Sequence, residues 1–392
     1  MELRKDGSGW HRQEVLPSAE NERAAVESSF NLFQSRVSGV PRLKPWLRML
    51  ALIALLLGEA AAETVCVTGA GGFVATELVK QLLEDGFHVK GTVRSLKQRE
   101  KYEHLERLDA ALPGTLTLLE ADLLKPNSFD TCAHGSKYVF HTASPFHFEA
   151  KNSVRDMIEP ARNGTENVLK SAIKAQAKRV IVTSSFAASN SFLPEDKPGS
   201  GHLYTEEDWN DFIDESIRKE DSQQAYIASK SIAERKAWEF GKSHGIDVVV
   251  VQPTLVMGPV LAPRVEGVSV STMKNIIEGA ALPFAFPWCD NRDVARAHIQ
   301  AAIKPLASGR YIVSNPNTIP HSYVYGVLSK GLPQYVWMKP EKEEAQNAMI
   351  DNSKVKALIG ALYPLDDTIL DMARSLISAK LAVPKKDPKA EL

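Results

Sequence analysis

The sequence predicts a doubly wound parallel α/β sheet followed by a smaller C-terminal lobe. Six short apolar runs alternate with helical segments, as expected for parallel strands that are buried on both faces. The runs cover residues 64–67, 87–93, 116–120, 138–141, 180–183 and 248–251. After Pro253 the alternation stops, and residues 256–290 are rich in glycine, proline and aromatic side chains. We expect that segment to form a lobe over the carboxyl ends of the strands.

The first strand leads into a glycine-rich turn, Gly69-Ala70-Gly71-Gly72-Phe73-Val74-Ala75, and then into a helix expected over 76–84. At such a junction the free backbone N–H groups and the helix dipole attract phosphate. The spacing departs from GxGxxG because Val74 replaces the last glycine, but Ala75 is small enough for close helix-to-strand packing. The junction predicts a dinucleotide site, whereas the alternative is a tight turn without a ligand. The residues expected to bind the cofactor here are Gly69, Gly72, Phe73 and Val74.

The end of the second strand indicates which dinucleotide is bound. An NAD site places Asp or Glu about twenty residues after the glycine turn, whereas an NADP site places Arg nearby. The sequence has no acidic residue between Val89 and Arg99, and after the second strand it carries the basic residues Arg94, Lys97, Arg99 and Lys101. This pattern predicts NADPH. The alternative is a basic, solvated surface loop.

Two short strings, Thr183-Ser184-Ser185 and Tyr226-Ile227-Ala228-Ser229-Lys230, carry a hydroxyl, a phenol and an ammonium. Tyr226 and Lys230 are four residues apart in a helical stretch, so both side chains leave one face of the helix. A nearby ammonium favours the ionised form of a phenol, which makes the phenol a better general acid near neutral pH. The alternative is a packed tyrosine with a solvated lysine one turn away.

With these motifs, the chain resembles the extended short-chain dehydrogenase/reductases. Within them it is similar to the group of dihydroflavonol 4-reductase, cinnamoyl-CoA reductase and fungal aldehyde or ketone reductases. The resemblance covers about residues 63 to 382, and its further strings are EADL (120–123), HTASP (141–145), NGTENVLKS (163–171), QPTLVMGP (252–259), RDVARAH (292–298) and DNSK (351–354). It implies a Rossmann fold and NADPH-dependent reduction of a ketone or aldehyde carbonyl.

The resemblance also implies roles for individual residues. Ser185 would hydrogen-bond the substrate carbonyl oxygen, Tyr226 would protonate that oxygen, and Lys230 would hold the nicotinamide ribose and assist Tyr226. Other residues would contact the cofactor. Asp122 and Leu123 would flank the adenine, and Arg94 and Lys101 would bind the 2′-phosphate. Ala143 and Ser144 would line the path of the cofactor, and Pro253 and Thr254 would approach the nicotinamide.

The residues around the tyrosine bear on the substrate. The phenylpropanoid CoA reductases carry an NWYCYGK-type string, which QQAYIASKS lacks, so a hydroxycinnamoyl-CoA substrate is not favoured.

Asn190 stands where flavonoid reductases often have a substrate-contacting asparagine, although such a residue also forms turns. Large apolar side chains favour a bulky apolar carbonyl substrate, unless those in the lobe are core. They are the aromatic residues Phe146, Phe148, Phe186 and Phe192, and in the lobe Phe284, Phe286 and Trp288 with Met273.

Composition excludes several other classes. A net charge of −1 provides no basic field for nucleic acid. The three cysteines, Cys66, Cys132 and Cys289, have no metal-ligand spacing and make a disulfide framework implausible. The glycosylation sequon at Asn163 falls on a helix expected to pack on the sheet, which favours a reducing, cytoplasmic setting. Two alternatives remain: an NAD-dependent epimerase, dehydratase or 3β-hydroxysteroid dehydrogenase of the same fold, and a non-catalytic NADP-binding regulator.

The expected organisation is an N-terminal extension over 1–62, an NADP-binding domain over 63–255 and a substrate lobe over 256–392, with 292–314 returning to the NADP-binding domain. The apolar run 49–57 is too short to span a bilayer comfortably. It resembles a signal-peptide core, but nearly fifty residues precede it, and acidic residues oppose a transit peptide. We expect an unremoved extension or a mis-assigned start, with a signal or a membrane anchor in 49–62, at the endoplasmic reticulum or another membrane, as the alternative.

Overall fold

The computed structural model describes residues 2–6, 9–13, 62–144, 154–190, 201–210, 222–281, 285–340 and 348–385. The chain divides into two compact units, 1–61 and 62–392. In the first, strands β1 (Glu2–Asp6) and β2 (Gly9–Gln13) pair antiparallel. Several sequence predictions lie outside the described residues, namely the apolar run 49–57 and the side chains of Phe146, Phe148, Phe192 and Phe284.

The second unit contains both the parallel strands and the helices. Its strands are β3 (Thr64–Val67), β4 (His88–Val93), β5 (Thr115–Glu120), β6 (Tyr138–His141), β7 (Arg179–Thr183), β8 (Leu203–Tyr204), β9 (Asp247–Pro253), β10 (Leu255–Met257), β11 (Phe286–Asp290), β12 (Gly309–Val313), β13 (Thr318–Ile319) and β14 (Met349–Ile350). Its α-helices are α1 (Phe73–Glu84), α2 (Glu103–Ala111), α3 (Asp130–Ala133), α4 (Glu159–Lys174), α5 (Ser222–His244), α6 (Val268–Ile277), α7 (Asn291–Ile303), α8 (His321–Gly331), α9 (Ser353–Ile359) and α10 (Leu365–Ser378).

Seven strands form one sheet in the order β12-β9-β7-β6-β3-β4-β5, and every neighbouring pair is parallel. The predicted doubly wound parallel sheet is therefore confirmed. From β3 the chain first builds the sheet outward through β4 and β5, and then crosses to β6 on the other side. Ligands of such sheets bind outside the carboxyl ends of the strands at this switch point.

Helices cover both faces of the sheet. On one face α1 and α7 pack with the strands, and Leu78, Leu82 and Val294 are fully buried there. On the other face α4 and α5 contribute Val168 and Ala237 to a second core. Their amphipathic patterns account for this arrangement, because a sheet buried on both faces needs an apolar helical stripe on each side.

The C-terminal lobe has its own core. It contains the three-stranded sheet β10-β11-β13, in which β10 and β11 are parallel and β13 is antiparallel, together with α6, α8 and α10. Met273 and Trp288 are fully buried there, and Phe286 packs against the same cluster. These three side chains were expected either to contact the substrate or to form the core of the lobe, and the structure places them in the core. None of the described helices is both long and apolar enough to cross a bilayer.

One prediction about the cysteines is wrong. Cys66 on β3 and Cys132 on α3 form a disulfide, with their Cα atoms 5.4 Å apart and both residues buried. The short helix α3 packs against β3 and β4, and this tertiary contact joins two residues that are 66 positions apart in sequence. Nothing in the local sequence reports such a contact. Cys289 is free and buried.

Candidate active site

The glycine turn lies at the carboxyl end of β3. Gly69 has a φ of +65°, a conformation that favours glycine, and its carbonyl accepts a hydrogen bond from Gly72 N at 2.9 Å. A Cβ on Gly69 would lie 3.2 Å from Ala143, so the turn and the segment after β6 approach closely. Helix α1 begins at Phe73 with Gly72 as N-cap and without a side-chain cap. Its first N–H groups therefore keep their capacity to donate to phosphate.

The basic loop after β4 runs beside this turn. Arg94 and Lys101 are exposed, and a Cβ on Gly71 would lie 3.2 Å from the Lys101 carbonyl oxygen. Arg99 is engaged elsewhere, because its guanidinium pairs with Glu106 at 2.8 Å. The carboxylate of Glu120, at the end of β5, accepts a hydrogen bond from Leu96 N at 2.6 Å and so holds the loop.

Asp122 and Leu123 follow β5 and are fixed by local contacts. The Asp122 carboxylate accepts a hydrogen bond from Leu124 N at 3.0 Å. Leu123 packs against α4, where a Cβ on Gly164 would lie 2.9 Å from Leu123 Cδ2, and its carbonyl accepts from Asn167 Nδ2 at 2.8 Å. The segment is thus held at the carboxyl edge of the sheet, where the resemblance implies the adenine.

Tyr226 and Lys230 lie on α5, one turn apart. Lys230 Nζ is 5.5 Å from the centroid of the Tyr226 ring and donates to Ser144 Oγ at 3.2 Å. Ser144 follows β6, so this contact joins the helix to the sheet edge. Lys230 and Ser144 also line a cavity with His141, Ala143, Thr183 and Ser184. The cavity therefore joins the predicted residues Lys230 on α5 and Ala143 and Ser144 after β6, and its wall also includes Thr183 and Ser184 next to the predicted Ser185.

His141 is buried close to Lys230, and both side chains line the same cavity. Burial, with a contribution from the Lys230 charge, lowers the pKa of His141 to about 3. Its two ring nitrogens lie 3.2 Å from Thr68 Oγ1 and 3.2 Å from Thr165 Oγ1. The ring is therefore neutral at physiological pH, and it adds no positive charge beside the Lys230 ammonium.

Ser185 is the second residue after β7 and begins a short turn. It is half-buried, and its Oγ accepts a hydrogen bond from Ala187 N at 3.2 Å, which caps the 3₁₀ helix Phe186–Ala188. At the end of β9, Pro253 is buried, and Thr254 N donates to Val313 O at 3.2 Å. Both sites lie at the carboxyl ends of parallel strands.

The predicted substrate contacts differ in how accessible they are. Phe186 is only 1% exposed and packs edge-on against Tyr204, with ring centroids 5.3 Å apart. Asn190 is also buried, and Phe146 lies outside the described residues. Substrate contact by these three residues stays a prediction.

Sequence reasoning missed two charged residues behind Ser185. Glu234, one turn after Lys230 on α5, forms a buried ion pair with Arg310 on β12 at 2.7 Å. Glu234 also accepts a hydrogen bond from Ser184 Oγ at 2.5 Å. The available signal was the four-residue spacing of Tyr226, Lys230 and Glu234, together with a lone arginine inside an apolar strand.

Comparisons with known proteins agree with this geometry. A cinnamoyl-CoA reductase of Medicago truncatula is 37% identical over 328 residues, which cover 82% of this chain and 97% of the relative. An anthocyanidin reductase of Vitis vinifera is 38% identical over 286 residues, 70% of this chain and 82% of the relative. The structure of yeast methylglyoxal/isovaleraldehyde reductase Gre2 complexed with NADPH has a TM-score of 0.71 at 30% identity, covering 82% of this chain and 100% of that one.

These relatives confirm the predicted resemblance to the reductase group of extended short-chain dehydrogenase/reductases. The family model of the NAD dependent epimerase/dehydratase family matches residues 65–314. That span runs from the first strand of the parallel sheet, through the glycine turn and α5, to the end of β12. The chain belongs to the NAD dependent epimerase/dehydratase family.

Proposed function

We propose that this protein is an NADPH-dependent reductase that transfers hydride to a ketone or aldehyde carbonyl. One observation carries the proposal: Lys230 lies beside the Tyr226 ring and donates to Ser144 at the sheet edge, next to the end of β7 where Ser185 follows. The named reductase relatives support the same reaction class.

The residues present fit NADPH. The positive φ of Gly69 and the tight 3.2 Å contact that a Cβ there would make with Ala143 both disfavour a side chain in the turn, as expected where backbone must meet a pyrophosphate. The 2′-phosphate would be held by Arg94 and Lys101, and the nicotinamide ribose by Lys230. When bound, NADPH supplies the hydride that reaches the carbonyl carbon.

The chain itself handles the proton. Ser185 Oγ donates a hydrogen bond to the carbonyl oxygen and so stabilises the charge that develops there. Tyr226 then transfers its phenolic proton to that oxygen, which completes the alcohol. The Lys230 ammonium stabilises the resulting phenolate, because an opposite charge nearby favours the ionised form.

For the substrate we propose a bulky apolar or flavonoid-like carbonyl compound. Support comes from the relatives, whose names include anthocyanidin reductase and cinnamoyl-CoA reductase. A panel of ketones, aldehydes and dihydroflavonols, followed by NADPH absorbance, tests this class. Preference for NADH would favour the same-fold epimerases and dehydrogenases instead, and binding without turnover of any compound would favour a regulator.

The predicted cytoplasmic location stays a proposal, with anchoring through 49–62 as its alternative. The Cys66–Cys132 disulfide weighs against the cytoplasm, since such bonds persist mainly in oxidising compartments. Fractionation of cells that express the full chain distinguishes the two: protein in the membrane pellet supports the anchor, and protein in the cytosolic fraction supports the first prediction.

The proposal is tested by Tyr226→Phe. We expect kcat to fall by about 100-fold to 10000-fold, since general acid catalysis contributes that much, while the Kd for NADPH changes little. Tyr335→Phe is the matched control, because it removes a phenol that packs against the lobe core. Near wild-type turnover of Tyr226→Phe would remove this residue from the mechanism.

A further inference from the structure

We propose that the buried pair Glu234–Arg310 is a positioning device that holds Ser185 in register with Tyr226 and Lys230. The inference rests on the proposed function, because it assigns the pair a task only if Ser185 contacts the reacting carbonyl. Glu234 and Arg310 themselves act through other residues.

Glu234 connects the helix that carries Tyr226 to the residue before Ser185. Its side chain is fully buried. One carboxylate oxygen accepts a hydrogen bond from Arg310 Nε at 2.7 Å. The other accepts from Ser184 Oγ at 2.5 Å and from Gln252 Nε2 at 2.9 Å. Every one of these donors lies on a different segment from α5.

Arg310 connects the edge strand β12 to the other end of the same turn. Its Nη2 donates to Ser189 Oγ at 3.0 Å. Its Nη1 donates to the carbonyl oxygens of Glu206 at 2.9 Å and Asp208 at 2.5 Å. The guanidinium also lies 3.9 Å from the centroid of the Trp209 ring, which fixes its plane.

Ser184 and Ser189 bracket Ser185 and the 3₁₀ helix Phe186–Ala188. The Ser184 hydroxyl donates to Glu234, and the Ser189 hydroxyl accepts from Arg310. The ion pair therefore fixes both ends of the turn. Glu234 is also one turn from Lys230, so the same contacts tie the turn to the helix that bears Tyr226. Charges held in a low dielectric resist displacement more strongly than exposed ones.

Stability alone gives a weak reason for this pair. Removing two charges from water is costly, and apolar replacements of buried ion pairs are often neutral or stabilising. A second ion pair of the same sheet offers the comparison. Arg179 and Asp247 pair at 2.6 Å where β7 and β9 begin, at the end of the sheet away from Ser185.

The test is Glu234→Gln, which keeps the shape and one acceptor oxygen but removes the charge. We expect kcat to fall by about 10-fold to 100-fold, since small displacements of a reacting group cost that much, with Kd for NADPH within twofold. Asp247→Asn is the control, because it neutralises the half-exposed acid of an ion pair far from Ser185: kcat should stay within twofold of the wild type.

A double-mutant cycle distinguishes positioning from a general structural effect. If the pair acts through Ser185, Glu234→Gln should cost little further kcat in a Ser185→Ala background. An equal loss in both backgrounds would overturn the inference, as would wild-type kcat in the single variant. Should Glu234→Gln not fold, Ser184→Ala cuts the link and leaves the ion pair, and the same cycle is run with it. Wild-type turnover of Ser185→Ala would overturn the proposed function itself, whereas loss there with no effect of Glu234→Gln overturns only the positioning role.

Discussion

Arg94 is the first residue after β4, and it is exposed beside the glycine turn, where it fits the 2′-phosphate of NADPH. Arg94→Asp should weaken NADPH binding by roughly 10-fold to 100-fold, because a charge-assisted hydrogen bond worth about 1.5–3 kcal/mol becomes a repulsion. The NADH affinity should change much less. Titration of both cofactors by fluorescence measures the ratio.

Lys178→Asp provides the control for this experiment, because Lys178 is also exposed but lies at the opposite end of the sheet, just before β7. It changes the net charge equally. An unchanged ratio of NADPH to NADH affinity in Arg94→Asp would show that the basic loop is only solvated surface.

Single residues can be proposed from sequence where their chemistry is written in one short string. Tyr226 and Lys230 lie four apart, and Ser185 closes a Thr-Ser-Ser string at the end of a strand, so local spacing is enough to select them as candidates. Glu234 and Arg310 are 76 positions apart, and only the packed sheet brings their side chains together. The four-residue spacing places Glu234 on the same helix face as Tyr226 and Lys230, but no local pattern shows that its partner is Arg310.

At the scale of elements, the strands of the parallel sheet were predicted to within a few residues, since buried strands between helices give continuous apolar runs. The lobe was predicted only as a region. Its strands β10, β13 and β14 are two or three residues long and carry no usable period. Helix α3, with four residues, escaped for the same reason, and with it the position of Cys132.

The disulfide leads to a prediction about stability. Cys132→Ser opens a cross-link between residues 66 positions apart, which the chain-entropy account values at roughly 4 kcal/mol. We expect a lower thermal midpoint under non-reducing conditions and little difference from the wild type in excess reductant. Alkylation of the unfolded, unreduced wild type should label one of the three cysteines, Cys289. Labelling of all three would show that the bond does not form.

At the scale of the whole molecule, the order of the strands decides where the site lies. The glycine turn after β3, Ser144 after β6 and Ser185 after β7 are far apart in sequence, yet they follow neighbouring strands at the carboxyl edge. The sequence predicted this edge because the alternation of strands and helices implies parallel strands. It could not predict which ionisable side chains are neutral in the packed interior and which form ion pairs.

Among the described residues, three buried histidines make the stability of the protein depend on pH. Burial lowers the pKa of His141 to about 3 and those of His104 and His298 to about 4. In the unfolded chain each would titrate near about 6.5. Below that pH the unfolded state takes up protons that the native state refuses, so stability is present above about pH 6.5 and is lost as the pH falls toward 4.

Each histidine should contribute up to about 1.4 kcal/mol per pH unit in this window. Burial raises the pKa of Glu77, Glu206 and Asp293. The native state therefore binds protons at these carboxylates at a higher pH than the unfolded state does, which offsets part of the loss of stability as the pH falls. Urea unfolding between pH 7 and pH 5 measures the slope of the unfolding free energy against pH.

His298, which receives a hydrogen bond from Thr183 and donates to Val294 O at 2.7 Å, is the residue to replace. His298→Gln should flatten the slope by about one histidine, up to about 1.4 kcal/mol per pH unit, and His134→Gln, at an exposed position, is the control for the substitution itself. Equal slopes in His298→Gln and the wild type would mean that His298 has the same pKa in the native and unfolded states.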